Sequence, residues 1–205
     1  MNLHPSRSGS GLRLYGRRVM LRPLHASDFA QWSEVRVRNE AWLLPWEPSR
    51  PQGSADVTRS RGAFAARCSA RDRDRQNGLA YGFGLFIDGT LAGEINLNGV
   101  VRGAQQTGTI GYWIDQARAG HRYVAEGVVV ELRFAFEELG LQRVEICIVP
   151  RNANSRRVME VLGIRDEGVS REFLEINGTR EDHIRYAMTA TEWRQRADEL
   201  RARWL

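Results

Sequence analysis

The spacing of apolar residues changes several times along the chain, and the order of these changes predicts alternating strands and helices. From Val124 to Leu139 the apolar residues recur three and four positions apart, which predicts a helix with one buried face. Its acidic residues, including Glu126 and Glu131, are expected mainly on the other faces. Gly140 is well placed to end the helix, and the apolar run from Val144 to Val149 predicts a strand after it. We therefore expect this helix to pack on a sheet.

Turn residues predict β-hairpins on either side of that helix. Asp88-Gly89 separates two apolar runs, and Asn177-Gly178 separates two more. A strand over 107–114 is expected to pair onto the first hairpin, and a strand over 12–23 to precede it. The other predicted elements are helices that start near Ser27 and Asp28, run from Ser54 to Arg71 and from Asn154 to Leu162, and close the chain from Glu192 to Trp204.

Length and composition favour one domain of a cytoplasmic protein. The 205 residues, 42% of them hydrophobic, can bury one sizeable core, so we expect a single domain over 1–205, with a core of about 12–190 and a basic helix at 192–204. No apolar run approaches the roughly eighteen residues of a membrane span, and residues 1–11 lack an apolar leader. Cys68 and Cys147 lie far apart with no ligand spacing around them, which predicts reduced thiols and no metal.

The charge balance favours an anionic partner. The net charge of +5 and the pI near 9.8 suit phosphate groups, although solvated surface arginines would give the same balance. In the densest basic run, Arg59 to Arg75, Asp72 and Asp74 alternate with the arginines. That pattern predicts the exposed face of a helix, and we expect no direct nucleic-acid binding.

A loop before the main helix is a candidate phosphate site. Residues 116–122 contain Gly120 and lead into the helix at Tyr123. The first turn of a helix leaves backbone N–H groups unpaired and carries a partial positive charge, so it attracts phosphate. A glycine in such a loop also serves turn geometry alone, and the loop by itself favours that structural role.

The order of elements from Gly111 to Ile164 resembles the acyl-CoA-binding part of the GNAT superfamily of N-acetyltransferases. Five segments in the same order resemble its RimJ/RimL branch, the ribosomal-protein N-terminal acetyltransferases: NEAWLLPWEP, LAGEINLNGVVRG, IGYWID, PRNANSRRVMEVLGI and NGTREDHIRYAM. The resemblance implies an α/β (α+β) fold with a mixed, mostly antiparallel seven-stranded sheet. This sheet would splay between its fourth and fifth strands and be flanked by helices, with acetyl-CoA in the cleft.

The resemblance also implies where acetyl-CoA binds. The pyrophosphate would lie on the loop and helix start, the pantetheine arm on the strand before them, and the sulfur beside the Asn-x-x-Ser turn. The implied contacts are Ile110, Gly111, Tyr112, Trp113, Ile114, Arg118, Gly120, His121, Arg122, Tyr123, Val124, Ala125, Asn152 and Ser155. Arg122 departs from the family pattern, which has a small residue there. An arginine of the group Arg151, Arg156 and Arg157 is a further candidate for the phosphates.

Few other groups are needed for the chemistry that the family performs. Ser155 is the candidate that protonates the departing thiolate, although Asn152 and Ser155 are also ordinary helix caps. Glu94 is the candidate general base and a substrate contact, with a solvent-facing strand carboxylate as the alternative. Trp42 and Trp46 are expected to wall the amine entrance.

The resemblance implies an enzyme that transfers the acetyl group of acetyl-CoA to an amine, with no metal. The leading acceptor is the N-terminal α-amino group of a protein or peptide, a ribosomal protein among the candidates. The alternatives are a small-amine acetyltransferase, of polyamine or antibiotic type, and a non-catalytic acyl-CoA-binding or RNA-binding protein of the same fold. We expect a monomer or homodimer without a membrane partner.

Overall fold

The computed structural model describes residues 11–49, 53 and 55–205. The predicted helix start at Ser54 lies outside these residues. The strands are β1 Leu14–Tyr15, β2 Val19–Arg22, β3 Tyr81–Ile87, β4 Thr90–Val101, β5 Thr107–Ile114, β6 Arg143–Ile148, β7 Arg165–Ile176 and β8 Thr179–Thr189. The helices are α1 Phe29–Arg38, α2 Glu40–Leu43, α3 Arg61–Gln76, α4 Tyr123–Arg133, α5 Ala153–Leu162 and α6 Ala190–Trp204. No helix within the described ranges is long and apolar enough to cross a membrane.

Among the described residues, eight strands form one mixed sheet in the order β1-β2-β3-β4-β5-β6-β8-β7. The predicted count of seven is wrong, because the segment expected as one first strand forms two. Its chain turns after Tyr15, and the two halves pair with Leu14 opposite Leu21. Counted as one strand, they restore the predicted order, with β5 and β6 as the fourth and fifth strands. Both predicted hairpin turns, at Asp88-Gly89 and Asn177-Gly178, join antiparallel neighbours.

The sheet opens between β5 and β6. These two strands are parallel and pair at Thr107–Thr109 with residues 143–145. The other neighbouring strands are antiparallel. Beyond residue 109, β5 continues to Ile114 along β4, while β6 continues to Ile148 along β8. The facing edges of β5 and β6 therefore diverge, and a cleft forms between them.

Helix α4 crosses the sheet with every residue from Val124 to Leu132 buried. The expectation that Glu126 and Glu131 lie away from the buried face is therefore wrong. Glu126 accepts hydrogen bonds from the backbone N–H groups of Arg18 and Val19, at 2.5 and 3.1 Å, and pairs with the Arg18 side chain. Glu126 thus provides the hydrogen-bond acceptor for the backbone N–H groups where β2 begins. At Gly127 an added Cβ would lie 2.3 Å from the Cδ1 of Ile95, so glycine lets α4 sit close to β4.

Helix α3 starts later than predicted. The prediction of Ser54 to Arg71 is wrong because Ser60 caps the helix, its Oγ accepting from the N–H of Ala63. The predicted exposed basic face is also wrong in part. Arg67 and Arg71 lie against the sheet and pair with Glu94 on β4. The start of α3 is therefore fixed by its cap, and its inner face by a buried acid.

Two cores cover the two faces of the sheet. The larger contains α4, α5 and α6, and includes Trp193 and Trp204 of the terminal helix. The smaller contains Trp32, Phe64 and Cys68 from α1 and α3. The predicted basic helix at the end of the chain is thus also part of the larger core.

Both cysteines are free, and burial raises the pKa of the Cys147 thiol to about 11.

Candidate active site

A cleft of about 640 Å³ opens where β5 separates from β6. Its walls are β5, the start of α4, the first turns of α5, and the segment that contains α2 and the turn after it. The lining residues are Trp42, Leu43, Trp46, Glu47, Pro48, Tyr112, Trp113, Ile114, Arg118, Ala119, Gly120, Arg122, Tyr123, Val124, Ala125, Asn152, Asn154, Ser155, Arg157, Val158 and Val161. The sequence-predicted site therefore comes together largely in one place.

Four predicted site residues do not line this cleft: Ile110, Gly111, His121 and Glu94. The Ile110 side chain lies in the larger core. Of the three candidate phosphate arginines, Arg157 lines the cleft. Seven lining residues were not predicted from the sequence: Leu43, Glu47, Pro48, Ala119, Asn154, Val158 and Val161. Most of them are neighbours of predicted residues, and helical spacing from Ser155 would have found Val158. No periodic pattern in the sequence indicates Glu47, and its absence from the predicted site matters most.

The loop before α4 has a backbone conformation that favours glycine. Gly120 has φ 81° and Arg122 has φ 64°, both in the left-handed region. That conformation costs an L-residue with a Cβ roughly 1–2 kcal/mol, so glycine would suit the position of Arg122 without strain. The Arg122 side chain makes no cap for α4, and the N–H groups of the first helical turn lack intrahelical partners. The fit to a pyrophosphate is good, since Arg118, Arg122 and Arg157 line the same cleft.

The first turn of α5 meets β5 across the cleft. Asn152 caps the helix, its Oδ1 accepting from the N–H of Ser155 at 3.1 Å. The Tyr112 hydroxyl donates to the backbone oxygen of Ser155 at 3.3 Å, and burial raises the pKa of this phenol. Asn152 thus acts as a helix cap, and both Asn152 and Ser155 line the cleft.

An aromatic wall closes the opposite side. The Trp42 indole donates to the backbone oxygen of Ile114 at 3.2 Å, which ties α2 to the end of β5. Arg151 lies 4.7 Å from the centre of the Trp46 ring, donates to Pro45 O at 2.9 Å and pairs with Glu181. Arg151 is therefore engaged on this wall, and the suggestion that it reaches cofactor phosphates is not supported.

Glu47 is held in the same wall by a half-buried arginine. Arg36 of α1 donates to both carboxylate oxygens of Glu47, at 2.5 and 2.6 Å. The Arg36 guanidinium in turn lies 5.0 Å from the centre of the Trp113 ring and 5.8 Å from that of Trp32. An ion pair between the first helix and the loop thus places one carboxylate at the cleft.

Glu94 lies outside the cleft in a buried ion-pair network. It is fully buried, and its carboxylate accepts from the Trp32 indole at 2.5 Å, from Arg67 at 2.6 and 2.9 Å and from Arg71 at 2.8 Å. Burial alone would raise its pKa, but Arg71 and Arg67 lower the pKa of Glu94 to about 2. The solvent-facing alternative is wrong, and a carboxylate so strongly ionised is a poor base. No group of three or more His, Cys, Asp or Glu side chains among the described residues is arranged for a metal ion.

Comparison with known proteins identifies the family to which this chain belongs. The profile described as "Acetyltransferase (GNAT) domain" matches residues 18–165. The probable N-acetyltransferase YjcK of Bacillus subtilis (strain 168) is 33% identical over 172 residues, which cover 83% of this chain and 93% of that protein. The ribosomal protein uS5-alanine N-acetyltransferase of Escherichia coli (strain K12) is 27% identical over 184 residues, covering 89% and 93%.

The fold agrees with these sequence matches. The structure of Mycobacterium smegmatis RimJ in complex with CoA-disulfide superposes with a TM-score of 0.84, at 28% identity over 93% of this chain and 95% of that one. The predicted splayed sheet with flanking helices is thereby confirmed, apart from the strand count. Because the profile covers more than half of the sequence and the relatives align over most of their length, the chain belongs to the GNAT acetyltransferase family and is an N-acetyltransferase that uses acetyl-CoA.

Proposed function

We propose that this N-acetyltransferase modifies the α-amino group at the N-terminus of a protein, with a ribosomal protein as the first candidate. The observation that carries the proposal is the shape of the cleft: the start of α4 lies at one wall and the aromatic segment 42–48 at the other. The relative that acts on ribosomal protein uS5, by its name, aligns with 89% of this chain. We assign the whole chain, 1–205, to one domain, and we place the reaction in the cytoplasm.

The residues divide the work between the cofactor and the transfer step. Arg118, Arg122 and Arg157, with the N–H groups at the start of α4, hold the phosphates of acetyl-CoA. The open edge of β5 from residue 112 to 114 offers backbone N–H groups to the pantetheine arm and the thioester oxygen. Acetyl-CoA supplies the activated acetyl group when bound. The neutral amine nitrogen bonds to the acetyl carbon, and the carbon–sulfur bond breaks. Ser155 donates a proton toward the departing sulfur, and the proton that the amine nitrogen loses returns to Ser155 through solvent, which leaves the N-acetylated amine and CoA as products.

An α-amine suits a site with no strong base. Its ordinary pKa of about 7.7–8.0 leaves roughly a quarter of it neutral near pH 7.4, whereas a lysine side chain with a pKa of about 10.4 is neutral in only about one molecule in a thousand. Glu94 is buried, ionised and outside the cleft, so it does not supply the missing base. A substrate that is already partly deprotonated therefore has the advantage.

The test is a thiol-release assay with peptides that begin with Ala, Ser or Met, set beside spermidine and an N-terminally blocked peptide with an internal lysine. We expect turnover of the free peptides, with mass spectrometry placing the acetyl group on the terminal nitrogen. All thirty basic residues counted as Lys plus Arg in this chain are arginine, so the enzyme adds no lysine acetylation of its own to the spectrum. Turnover of spermidine or of the lysine peptide alone would refute the proposed acceptor while leaving the acetyltransferase assignment intact.

A further inference from the structure

The charges that line the cleft are separated. Three lining residues are basic, and they belong to the loop before α4 and to α5: Arg118, Arg122 and Arg157. Of the described residues that line the cleft, Glu47 alone is acidic, and it belongs to the aromatic segment on the acceptor side. A cleft with cations where an anionic cofactor binds and one carboxylate where an amine arrives is matched to two ligands of opposite charge.

Glu47 is positioned firmly and still has capacity to bind. The Arg36 side chain that pairs with it is 12% exposed, whereas the Glu47 side chain keeps 31% of its surface exposed. The Glu47 backbone is fixed as well, since the carbonyl oxygen of Glu47 accepts a hydrogen bond from the N–H of Asn177 at 2.9 Å. Arg36 donates one hydrogen bond to each carboxylate oxygen, and each oxygen accepts about two, so one acceptor position remains on each.

The surroundings suit a carboxylate that accepts a hydrogen bond from an amino group. The bidentate pair with Arg36 fixes the orientation of the Glu47 carboxylate. Because Arg36 already balances the charge, the site carries no unpaired buried charge before a substrate arrives. The lining indoles Trp42, Trp46 and Trp113 lower the local polarity, which strengthens a hydrogen bond from an incoming N–H.

We propose that Glu47 binds the amino group of the acceptor and thereby selects amines and fixes the nitrogen before transfer. This role rests on the proposed function, because it identifies the acceptor-side contact of the same reaction. Glu47 does not take the proton in this scheme. The competing explanation is that Glu47 only anchors the segment 42–48 through Arg36.

A second ion pair on the same wall provides the control. Arg151 and Glu181 also form a bidentate pair that holds this segment, through Pro45 O and the Trp46 ring, but Glu181 does not line the cleft. Glu181→Gln therefore weakens the anchoring of the wall and leaves the Glu47 carboxylate in place. Glu47→Gln removes the negative charge from the cleft and leaves the side-chain shape nearly unchanged.

The experiment is a binding cycle with two probes: an alanine-initiated peptide and its des-amino analogue, in which a propionyl group replaces the first residue. Inhibition constants or calorimetric dissociation constants are measured for the wild-type enzyme, Glu47→Gln and Glu181→Gln, each saturated with CoA so that no transfer occurs. We expect wild type and Glu181→Gln to prefer the amine at least tenfold and Glu47→Gln to prefer it less than twofold. KM for acetyl-CoA should change less than twofold in both variants.

Retention of the amine preference by Glu47→Gln would overturn the proposal, and so would an equal loss in both variants. The turnover assay distinguishes a failure of the role proposed for Glu47 from a failure of the proposed function. If only small amines are acetylated, the peptide acceptor is wrong, and the same cycle is run with butylamine against butanol, where Glu47→Gln must again abolish the preference. A wild-type enzyme that binds acetyl-CoA and acetylates no amine would overturn both.

Discussion

Neutralising Glu131 should remove a pH dependence from the stability of the fold. This glutamate is fully buried in α4, and neither carboxylate oxygen has a hydrogen-bond partner among the described residues. Burial raises its pKa well above the ordinary value, and the nearby backbone of Leu97 offsets that shift only in part. The native state therefore holds a proton that the unfolded chain, with a carboxyl pKa of about 4.3, has already released.

The sign and size follow from this difference in bound protons. The stabilising contribution is complete below the unfolded pKa and is lost as the pH rises toward the native pKa, at about 1.4 kcal/mol for each pH unit. Gln resembles the protonated acid in shape and does not titrate. Glu131→Gln should match wild type near pH 4.5 and then gain on it with rising pH. For a chain of this size, the gain is about 3–5 °C in Tm for each pH unit until the native group ionises.

The assay is thermal unfolding of both proteins from about pH 4.5 to 9 at fixed salt, followed by circular dichroism. Glu126→Gln is the matched control, because Glu126 is equally buried in the same helix but is paired with Arg18. That variant should lose stability across the whole range: the Gln amide oxygen can still accept the two backbone hydrogen bonds, but its NH2 group cannot pair with the Arg18 guanidinium. Parallel pH profiles for wild type and Glu131→Gln would refute the reasoning.

Three further substitutions test other parts of the structure. Arg122→Gly should raise the free energy of unfolding by about 1 kcal/mol, because glycine accepts φ 64° without strain, and should weaken acetyl-CoA binding several-fold in calorimetry; unchanged affinity would remove Arg122 from the phosphate site. Ser155→Ala should lower kcat roughly ten- to a thousandfold with little change in acetyl-CoA affinity, whereas full kcat with a lower Tm would leave Ser155 as a helix residue only. Gly127→Ala should destabilise the protein by about 1–2 kcal/mol in urea unfolding, because the new Cβ would lie 2.3 Å from Ile95. The better helix propensity of alanine, about 1 kcal/mol, offsets only part of this overpacking. A gain in stability would show that Ile95 moves aside freely.

Local chemistry made much of the fold predictable. Asp-Gly and Asn-Gly turns mark their hairpins in a few adjacent residues, and the three- and four-residue spacing in α4 needs no knowledge of distant contacts. The strand count failed where the chain turns after Tyr15, because the partner that satisfies this turn is Glu126, more than a hundred residues away. For the same reason, the local sequence around Glu126 is that of an ordinary surface acid.

The site was predictable where it depends on the chain's order and not where it depends on long-range pairs. The loop at Gly120 and the turn at Ser155 follow directly from sequence neighbours. Glu94 and Glu47 are both acids beside apolar residues, and nothing local distinguishes them. Their roles depend on which arginine the fold brings to each: Arg67 and Arg71 enclose Glu94, whereas Arg36 leaves one side of Glu47 open to the cleft.

The short stretch of pairing between β5 and β6 divides the sheet into two parts, which a bound substrate could connect. Strands β1 to β5 form one part and β6 to β8 the other. Residues 107–109 pair with 143–145, and at the end of this pairing the backbone oxygen of Gln106 accepts from the N–H groups of Gln142 and Arg143. The pantetheine arm of acetyl-CoA, an extended chain with amide groups, would take the place of the missing backbone pairing if it binds between the diverging edges as proposed above. Its binding would stabilise the folded state by RT ln(1 + [L]/Kd). Amide hydrogens along 110–114 should exchange more slowly as the acetyl-CoA concentration rises, and the enzyme should then unfold less often at a high acetyl-CoA concentration than at a low one.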